Sequence, residues 1–158
     1  MLFRSRQRLL GEDHPSVATS YNNLATLYLN QGRYPEAEPL FQKALELRQR
    51  LLGEDHPDVA QSYNNLAGLY YSEVRFTEAE PLYQKALELR QRLLGEDHPD
   101  VADSYYNLAL LYHNQRRYTE AKPLYRKALD ICEQQLGMDH PNTIKVKKNY
   151  EDFFKERT

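Results

Sequence analysis

The tripeptide Asp-His-Pro occurs four times, and it offers the carboxylate and imidazole groups that bind metal ions. Its histidines are His14, His56, His98 and His140. Metal ligands lie about 2.0 to 2.2 Å from the ion, whereas the copies are 42 residues apart and separated by two helices of about 10 Å diameter each. Because one ion cannot collect these groups, we predict no metal site. A residue before proline favours extended geometry, so the His-Pro pairs indicate helix starts.

No catalytic motif accompanies these histidines. The sequence has no G-x-S-x-G, G-x-G-x-x-G, Walker-type loop, H-E-x-x-H or C-x-x-C. The single cysteine, Cys132, is interpreted as a small helix residue. We therefore expect a chain that is not an enzyme, has no catalytic residues and uses no cofactor.

A repeat of 42 residues organises the whole chain. The pattern G-x-D-H-P begins at Gly11, Gly53, Gly95 and Gly137, and residues 11–52 and 53–94 are identical at 32 of 42 positions. A period of this length is typical of stacked supersecondary units. Apolar residues at i, i+3, i+4 and i+7 indicate two helices in each unit, and Thr77 with Glu80 has the form of a capping box that starts the second one. The sequence thus predicts an all-α solenoid of antiparallel helix hairpins.

The repeat also predicts the domain boundaries of one continuous array. Residues 1–10 align with the end of a second helix, and the last segment supplies only a first helix. The predicted order is 1–10 (end of a preceding second helix), 11–52 (repeat 1), 53–94 (repeat 2), 95–136 (repeat 3) and 137–158 (final half-repeat, a capping helix).

Charge and hydropathy exclude two classes of partner. The chain has 21 Lys and Arg against 23 Asp and Glu, and the first helices, 15–30, 57–72 and 99–114, contain neither Lys nor Arg. Nucleic-acid binding needs cations that neutralise phosphates. The apolar stretches are far shorter than the roughly 18 residues of a membrane span. We expect no nucleic-acid or membrane partner and, without a secretory signal pattern, a cytoplasmic location.

The hairpin resembles the tetratricopeptide repeat, a helix-turn-helix unit. The residues that carry the resemblance are Tyr21, Leu24, Ala25, Tyr28, Ala37, Phe41 and Ala44. The 42-residue period and the runs YNNLA-x-LY and LLGEDHP are similar to the variant found in kinesin light chains and in bacterial, particularly cyanobacterial, repeat proteins. This resemblance implies a right-handed superhelix whose first helices line a concave surface.

Polar residues lie beside the core positions of each first helix. In the first copy they are Thr19, Asn23, Thr26 and Asn30. An asparagine amide both donates and accepts hydrogen bonds, so such a row is able to hold an extended peptide backbone. The resemblance places this row in the groove. The other interpretation is that duplication copied a neutral surface residue.

Specificity is expected where the copies differ. Aromatic and apolar residues appear towards the third repeat, and an exposed aromatic patch is typical of a partner site. The four predicted anchors, for which packing against a neighbouring helix is the alternative, are Tyr71, Tyr106, Leu110 and His113. The remaining predicted peptide-binding residues are Asn22, Asn23, Asn30, Asn64, Asn65, Asn107 and Asn114.

The ends of the second helices carry arginines, of which Arg48, Arg50 and Arg90 are examples. They either meet an acidic ligand, face solvent or pair with glutamates one turn earlier, such as Glu46. The basic pair by which some tetratricopeptide proteins clamp a terminal carboxylate is missing from the first helices, so no such clamp is expected.

The favoured hypothesis is a non-catalytic protein-interaction module that binds an extended peptide or a partner helix in its concave groove. The alternative is a structural spacer or sensor array within a larger signalling protein. End-to-end self-association of the array is also left open.

Overall fold

The structure, a computed structural model, describes residue 4 and residues 13–154. Residues 13–154 form seven α-helices and no strand, which confirms the all-α prediction. In chain order they are α1 (Pro15–Asn30), α2 (Tyr34–Leu52), α3 (Pro57–Ser72), α4 (Phe76–Leu94), α5 (Pro99–Asn114), α6 (Tyr118–Gln135) and α7 (Pro141–Phe154). The helix end predicted at residues 1–10 lies outside the residues that the structure describes, except for residue 4.

The chain forms two compact units, Met1–Leu82 and Tyr83–Thr158. In the first unit α1 packs against α2, and α2 packs against α3. In the second unit α5 packs against α6, and α6 packs against α7. The bounds of α1, α3 and α5 are the same as those expected for the first helices, 15–30, 57–72 and 99–114. The division into repeats that begin at residues 11, 53, 95 and 137 stays a prediction.

The histidines of the Asp-His-Pro segments cap the first helices. His14, His56 and His98 are the N-cap residues of α1, α3 and α5 and have extended backbone geometry. In each, Nδ1 accepts a hydrogen bond of 3.0 to 3.1 Å from the backbone N–H two residues later. His140 does the same before α7, at 3.1 Å from the N–H of Asn142. This confirms the interpretation of His-Pro as a helix start, because the cap satisfies an N–H that the helix leaves unpaired.

The second helices begin differently from the sequence prediction. Thr77 and Glu80 have the spacing of a capping box, but α4 begins at Phe76, so Thr77 already lies in its first turn. At this end Arg75 donates from Nε and Nη2 to the two carboxylate oxygens of Glu78, at 2.8 and 2.6 Å. The Arg75 guanidinium also lies 4.2 Å from the centre of the Tyr70 ring. Equivalent contacts recur with Arg33 on Tyr28 and with Arg117 on Tyr112.

The turn inside each hairpin keeps one geometry although its residue changes. Gly32 has φ 71°, and the equivalent Val74 and Arg116 have φ 61° and 62°. All three are left-handed, a region in which a side chain with a Cβ costs roughly 1 to 2 kcal/mol. The turn is therefore imposed by the helices on either side of it rather than by glycine.

The predicted apolar positions form the cores of both units. In the first unit Ala25, Ala37, Phe41 and Ala44 are buried, while Tyr21, Leu24 and Tyr28 are partly exposed. In the second unit the corresponding buried residues are Tyr105, Leu108, Ala109, Tyr112, Ala121, Tyr125 and Ala128. Small alanines let neighbouring helices approach closely enough for the aromatic rings to interdigitate. The first helices are thereby fixed with one polar side away from the core.

Candidate functional site

The polar row on α1 is exposed. Asn23, Thr26 and Asn30 all lie on the surface, and Leu27 beside them is 51% exposed. The Thr26 hydroxyl donates to the Asn22 carbonyl oxygen at 2.9 Å. A hydroxyl that donates to its own helix still has lone pairs to offer as an acceptor. This surface therefore combines amide groups, hydroxyl acceptors and one apolar side chain.

A chain of amide hydrogen bonds joins α3 to α1 in the first unit. The Gln61 amide nitrogen donates to Asn65 Oδ1 at 2.8 Å, and Asn65 Nδ2 donates to Asn22 Oδ1 at 2.6 Å. Asn65 and Asn22 are half-buried, as is Asn64 beside Asn65. Part of the predicted amide row thus holds neighbouring first helices together, so Asn65 has a structural role whatever else it contacts.

In the second unit fewer of the predicted residues of this row are exposed. Asn107 and Leu110 on α5 are half-buried, and Asn114 is exposed near the end of the helix. Asp103, one turn before Asn107, introduces a carboxylate where the first copy has Thr19. The predicted residues of α5 that stay on the surface are therefore fewer than those of α1.

Tyr106 is not on the exposed patch that the sequence predicted. It is 8% exposed because α7 covers it. Its ring packs edge-on against Tyr125 with centroids 5.9 Å apart, and Lys145 Nζ lies 4.8 Å from the ring centre. The Tyr106 hydroxyl accepts a hydrogen bond from the Asn149 amide. In this contact Tyr106 and Asn149 repeat the relation of Asn22 and Asn65, 43 residues apart in both pairs.

His113 is likewise occupied by packing. Its ring stacks on Phe153 with centroids 3.8 Å apart and meets Tyr118 edge-on at 5.2 Å. Tyr71, the equivalent residue of α3, packs against Phe76 at 5.7 Å. The alternative interpretation of these aromatic residues, contact with a neighbouring helix, is the one that the geometry of Tyr106 and His113 favours.

The arginines that the sequence offered to an acidic ligand differ in exposure: Arg48 and Arg90 are buried, and Arg50 is on the surface. Arg48 is 7% exposed and donates to Ser62 Oγ at 2.9 Å, and Arg90 is 4% exposed and donates to Ser104 Oγ at 2.9 Å. Arg50 is exposed, but it pairs with Asp13 at 2.6 Å rather than with Glu46. Arg48 and Arg90 are therefore parts of helix contacts and not of a ligand surface.

Two open cavities recur at the junction loops, away from the polar row. One of about 330 Å³ is lined by Tyr21, Lys43 and Arg50 among others. The other, of about 230 Å³, is lined by the equivalent Tyr105, Lys127 and Gln134. Neither contains a predicted peptide-binding residue. Among the residues that the structure describes, no cluster of three or more potential metal ligands occurs.

Across residues 13–154 no helix has both the length and the apolar composition that a membrane span requires.

The polar row itself is nearly free of charge in the first unit. α1 contains no charged residue, and α3 contains only Asp58, in its first turn. In α1 and α3 this surface therefore offers hydrogen-bonding groups and apolar contact and almost no charge.

Sequence and structure comparisons identify the repeat. Residues 17–58 match a tetratricopeptide repeat family model, and residues 67–134 and 105–151 match a second one. No curated protein sequence matches the chain. Among solved structures, BtubC (BKLC) from P. vanneervenii is 31% identical with a TM-score of 0.86. That match covers 98% of this chain and 63% of BtubC, so the chain spans under two thirds of that protein.

Two further structures extend the comparison. A kinesin light chain-type protein from Podospora anserina with nearly identical TPR-like repeats is 25% identical with a TM-score of 0.81, over 90% of this chain and 67% of that one. The N-terminal domain of stress-induced protein-1 from C. elegans is 20% identical with a TM-score of 0.61, over 87% and 96%, and shows the fold alone. The chain belongs to the tetratricopeptide repeat family, and its repeats are of the kinesin light chain-like kind.

Proposed function

We propose that this chain is a non-catalytic interaction module that binds an extended peptide or a partner helix on its first helices. The exposed, uncharged row of amide and hydroxyl groups on α1 is the observation that carries the proposal. Tetratricopeptide repeats generally mediate protein–protein interaction. The row offers donors and acceptors to a peptide main chain, which every peptide presents regardless of its side chains.

The apolar component of this surface comes from Leu27. Its side chain lies between Asn23 and Asn30 along the helix and is half exposed. Fully burying an exposed leucine contributes about 1.5 to 3 kcal/mol, so covering the exposed half of Leu27 contributes about 1 kcal/mol to association. A peptide with one apolar residue opposite Leu27 and main-chain contacts on either side therefore fits the row better than a highly charged one does.

Binding to a random peptide library displayed on phage tests this proposal. The wild-type chain should enrich peptides, and a variant with Asn23→Ala and Asn30→Ala should bind those peptides at least several-fold more weakly. Both asparagines are exposed, so their loss should leave the fold intact. Gln42→Ala is the matched control, because Gln42 is an exposed amide on α2 outside the row.

The choice of Asn23 and Asn30 follows from the structure. Asn65→Ala would remove the hydrogen bond to Asn22, so a loss of binding could not be separated from a shift of α3. Equal binding by wild type and the double variant would contradict the groove proposal. Failure to enrich any peptide would favour the spacer or sensor array instead, in which the solenoid sets distances between other parts of a protein.

A further inference from the structure

Hydrogen bonding fixes the orientation of the Asn22 amide in the first unit. Asn22 Oδ1 accepts from Asn65, so the Asn22 Nδ2 group is the opposite end of the same planar amide. Nδ2 makes no hydrogen bond within residues 13–154 and carries two donor hydrogens. Asn22 is half-buried rather than sealed, so these donors are within reach of a ligand that lies along α1.

Thr26 supplies the complementary group one turn later. Its hydroxyl hydrogen is committed to the Asn22 carbonyl oxygen, at 2.9 Å, so Oγ1 is left as an acceptor. Residues four apart on a helix are neighbours, with Cβ atoms about 5 to 6 Å apart. Asn22 and Thr26 therefore present one donor and one acceptor side by side on the same face.

One residue of an extended peptide presents the matching pair. In an extended strand the N–H and the C=O of a single residue point to the same side, and this is how strands pair in an antiparallel sheet. We propose that Asn22 and Thr26 form a two-point clamp, in which Asn22 Nδ2 donates to a ligand carbonyl and Thr26 Oγ1 accepts from the N–H of the same ligand residue. The inference rests on the proposed function, since it specifies how that surface holds its peptide.

The repeats place this clamp in the first copy only. Thr26 is replaced by Gly68 and by Leu110, which have no acceptor in the side chain. Asn22 is replaced in the third copy by Tyr106, which α7 covers. The main chain of the ligand is therefore fixed at α1.

The electrostatics of the first unit define the kind of ligand segment that the clamp accepts. No charged residue occurs on α1, and the guanidinium of the buried Arg48 already donates a hydrogen bond to Ser62 of α3. A charged side chain placed on this row would lose hydration and gain no partner. The clamp thus fits a stretch of peptide that is uncharged, and its binding should depend little on ionic strength.

Two threonines of α1 allow a matched test. Thr19 is exposed, and its hydroxyl donates to the Pro15 carbonyl oxygen at 3.3 Å, but it has no asparagine one turn earlier. Thr26→Val and Thr19→Val therefore change the helix in the same way, and only the first removes the proposed acceptor. Thr26→Ser keeps the hydroxyl and should bind like wild type.

The probe is the peptide most enriched by the wild-type chain from the random library, labelled with fluorescein, and its analogues in which one amide is replaced by an ester. Thr26→Val should raise the Kd by about three- to tenfold, the range expected for one hydrogen bond. One ester analogue should bind wild type and Thr19→Val more weakly by a similar factor, and it should not weaken binding to Thr26→Val any further.

Several results would overturn the clamp. Equal Kd values for Thr26→Val and Thr19→Val would do so, as would an ester effect that persists in full in Thr26→Val. A Kd that rises steeply between low and high salt would show that the ligand is held by charge instead. These outcomes are distinct from failure of the proposed function, in which no peptide is enriched by the wild-type chain at all.

Discussion

The buried arginine between α2 and α3 is a sharp test of how neighbouring repeats are held together. Arg48 is 7% exposed, and its Nη1 donates to Ser62 Oγ at 2.9 Å and to the Asp58 carbonyl oxygen at 3.3 Å. Burial lowers the pKa of the Arg48 guanidinium and the charge of Asp58 opposes this, yet arginine stays protonated in proteins. The contact therefore joins a charged donor to a hydroxyl that is only 1% exposed.

Arg48→Met replaces the aliphatic stem of the side chain with an unbranched apolar one and removes the hydrogen-bond donors of the guanidinium. A hydrogen bond from a charged group contributes about 1.5 to 3 kcal/mol, and an unsatisfied buried hydroxyl costs about 1 to 3 kcal/mol. Removing the desolvated charge offsets part of this loss. We expect a net decrease of about 2 kcal/mol in the free energy of unfolding, which lowers the urea midpoint by about 1 M when the slope is about 2 kcal/mol per M.

Arg50→Met is the matched control two residues later on α2. Arg50 is 60% exposed, and its ion pair with Asp13 is equally open to solvent, so its loss should leave the urea midpoint unchanged within error. Adding Ser62→Ala to Arg48→Met should recover part of the loss, because no buried hydroxyl is then unpaired. Unfolding is followed by far-ultraviolet circular dichroism. Equal midpoints for Arg48→Met and Arg50→Met, or no recovery in the double variant, would refute the reasoning.

Three other predictions concern the turn, the caps and one tyrosine. Val74→Gly should raise the free energy of unfolding by about 0.5 to 1 kcal/mol in urea titrations, since Val74 is 69% exposed with φ 61°; a lower midpoint would contradict this. His56→Ala should cost about 1 kcal/mol in the same assay, and His56→Asn, which keeps a capping acceptor, should cost clearly less. Burial, and then the hydrogen bond to Glu96, raises the pKa of Tyr105 from 10.0 to about 12. The folded state thus holds this proton more tightly, so its contribution to stability is complete below about pH 10 and is lost as the pH rises to about 12. Phenolate absorbance at high pH should show this late step in wild type and not in Tyr105→Phe.

Most of the fold follows from the sequence because it depends on local periodicity. The repeated apolar spacing predicts two helices in each unit, and His-Pro predicts the first residues of α1, α3 and α5. The start of the second helices was not predicted correctly, since a capping box at Thr77 and Glu80 would start the helix at residue 78, two residues after its actual start at Phe76. The signal that identifies the true start is the recurrence of Arg-x-x-Glu, with a tyrosine five residues before the arginine.

The candidate site is harder to predict because one helix face serves two purposes. Neighbouring first helices touch along the edge of the polar row, so the row itself does not show which amides face a ligand and which face a helix. Asn22 and Asn65 are 43 residues apart, one more than the repeat, and this offset appears only when the helices are packed together. The repeat in the sequence has a period of 42 residues and does not reveal this 43-residue spacing.

Differences between copies are therefore a guide to packing as much as to specificity. Tyr106 replaces Asn22, and the residue that contacts it, Asn149, is again an asparagine 43 residues later. His113 replaces Leu29, and its ring stacks on Phe153 of α7. In both cases the altered residue contacts a residue of α7. Ligand contacts on α1 are then best sought at side chains that are exposed, which are those of Asn23, Thr26 and Asn30. The clamp experiment tests one of these, Thr26, against Thr19 on the same helix.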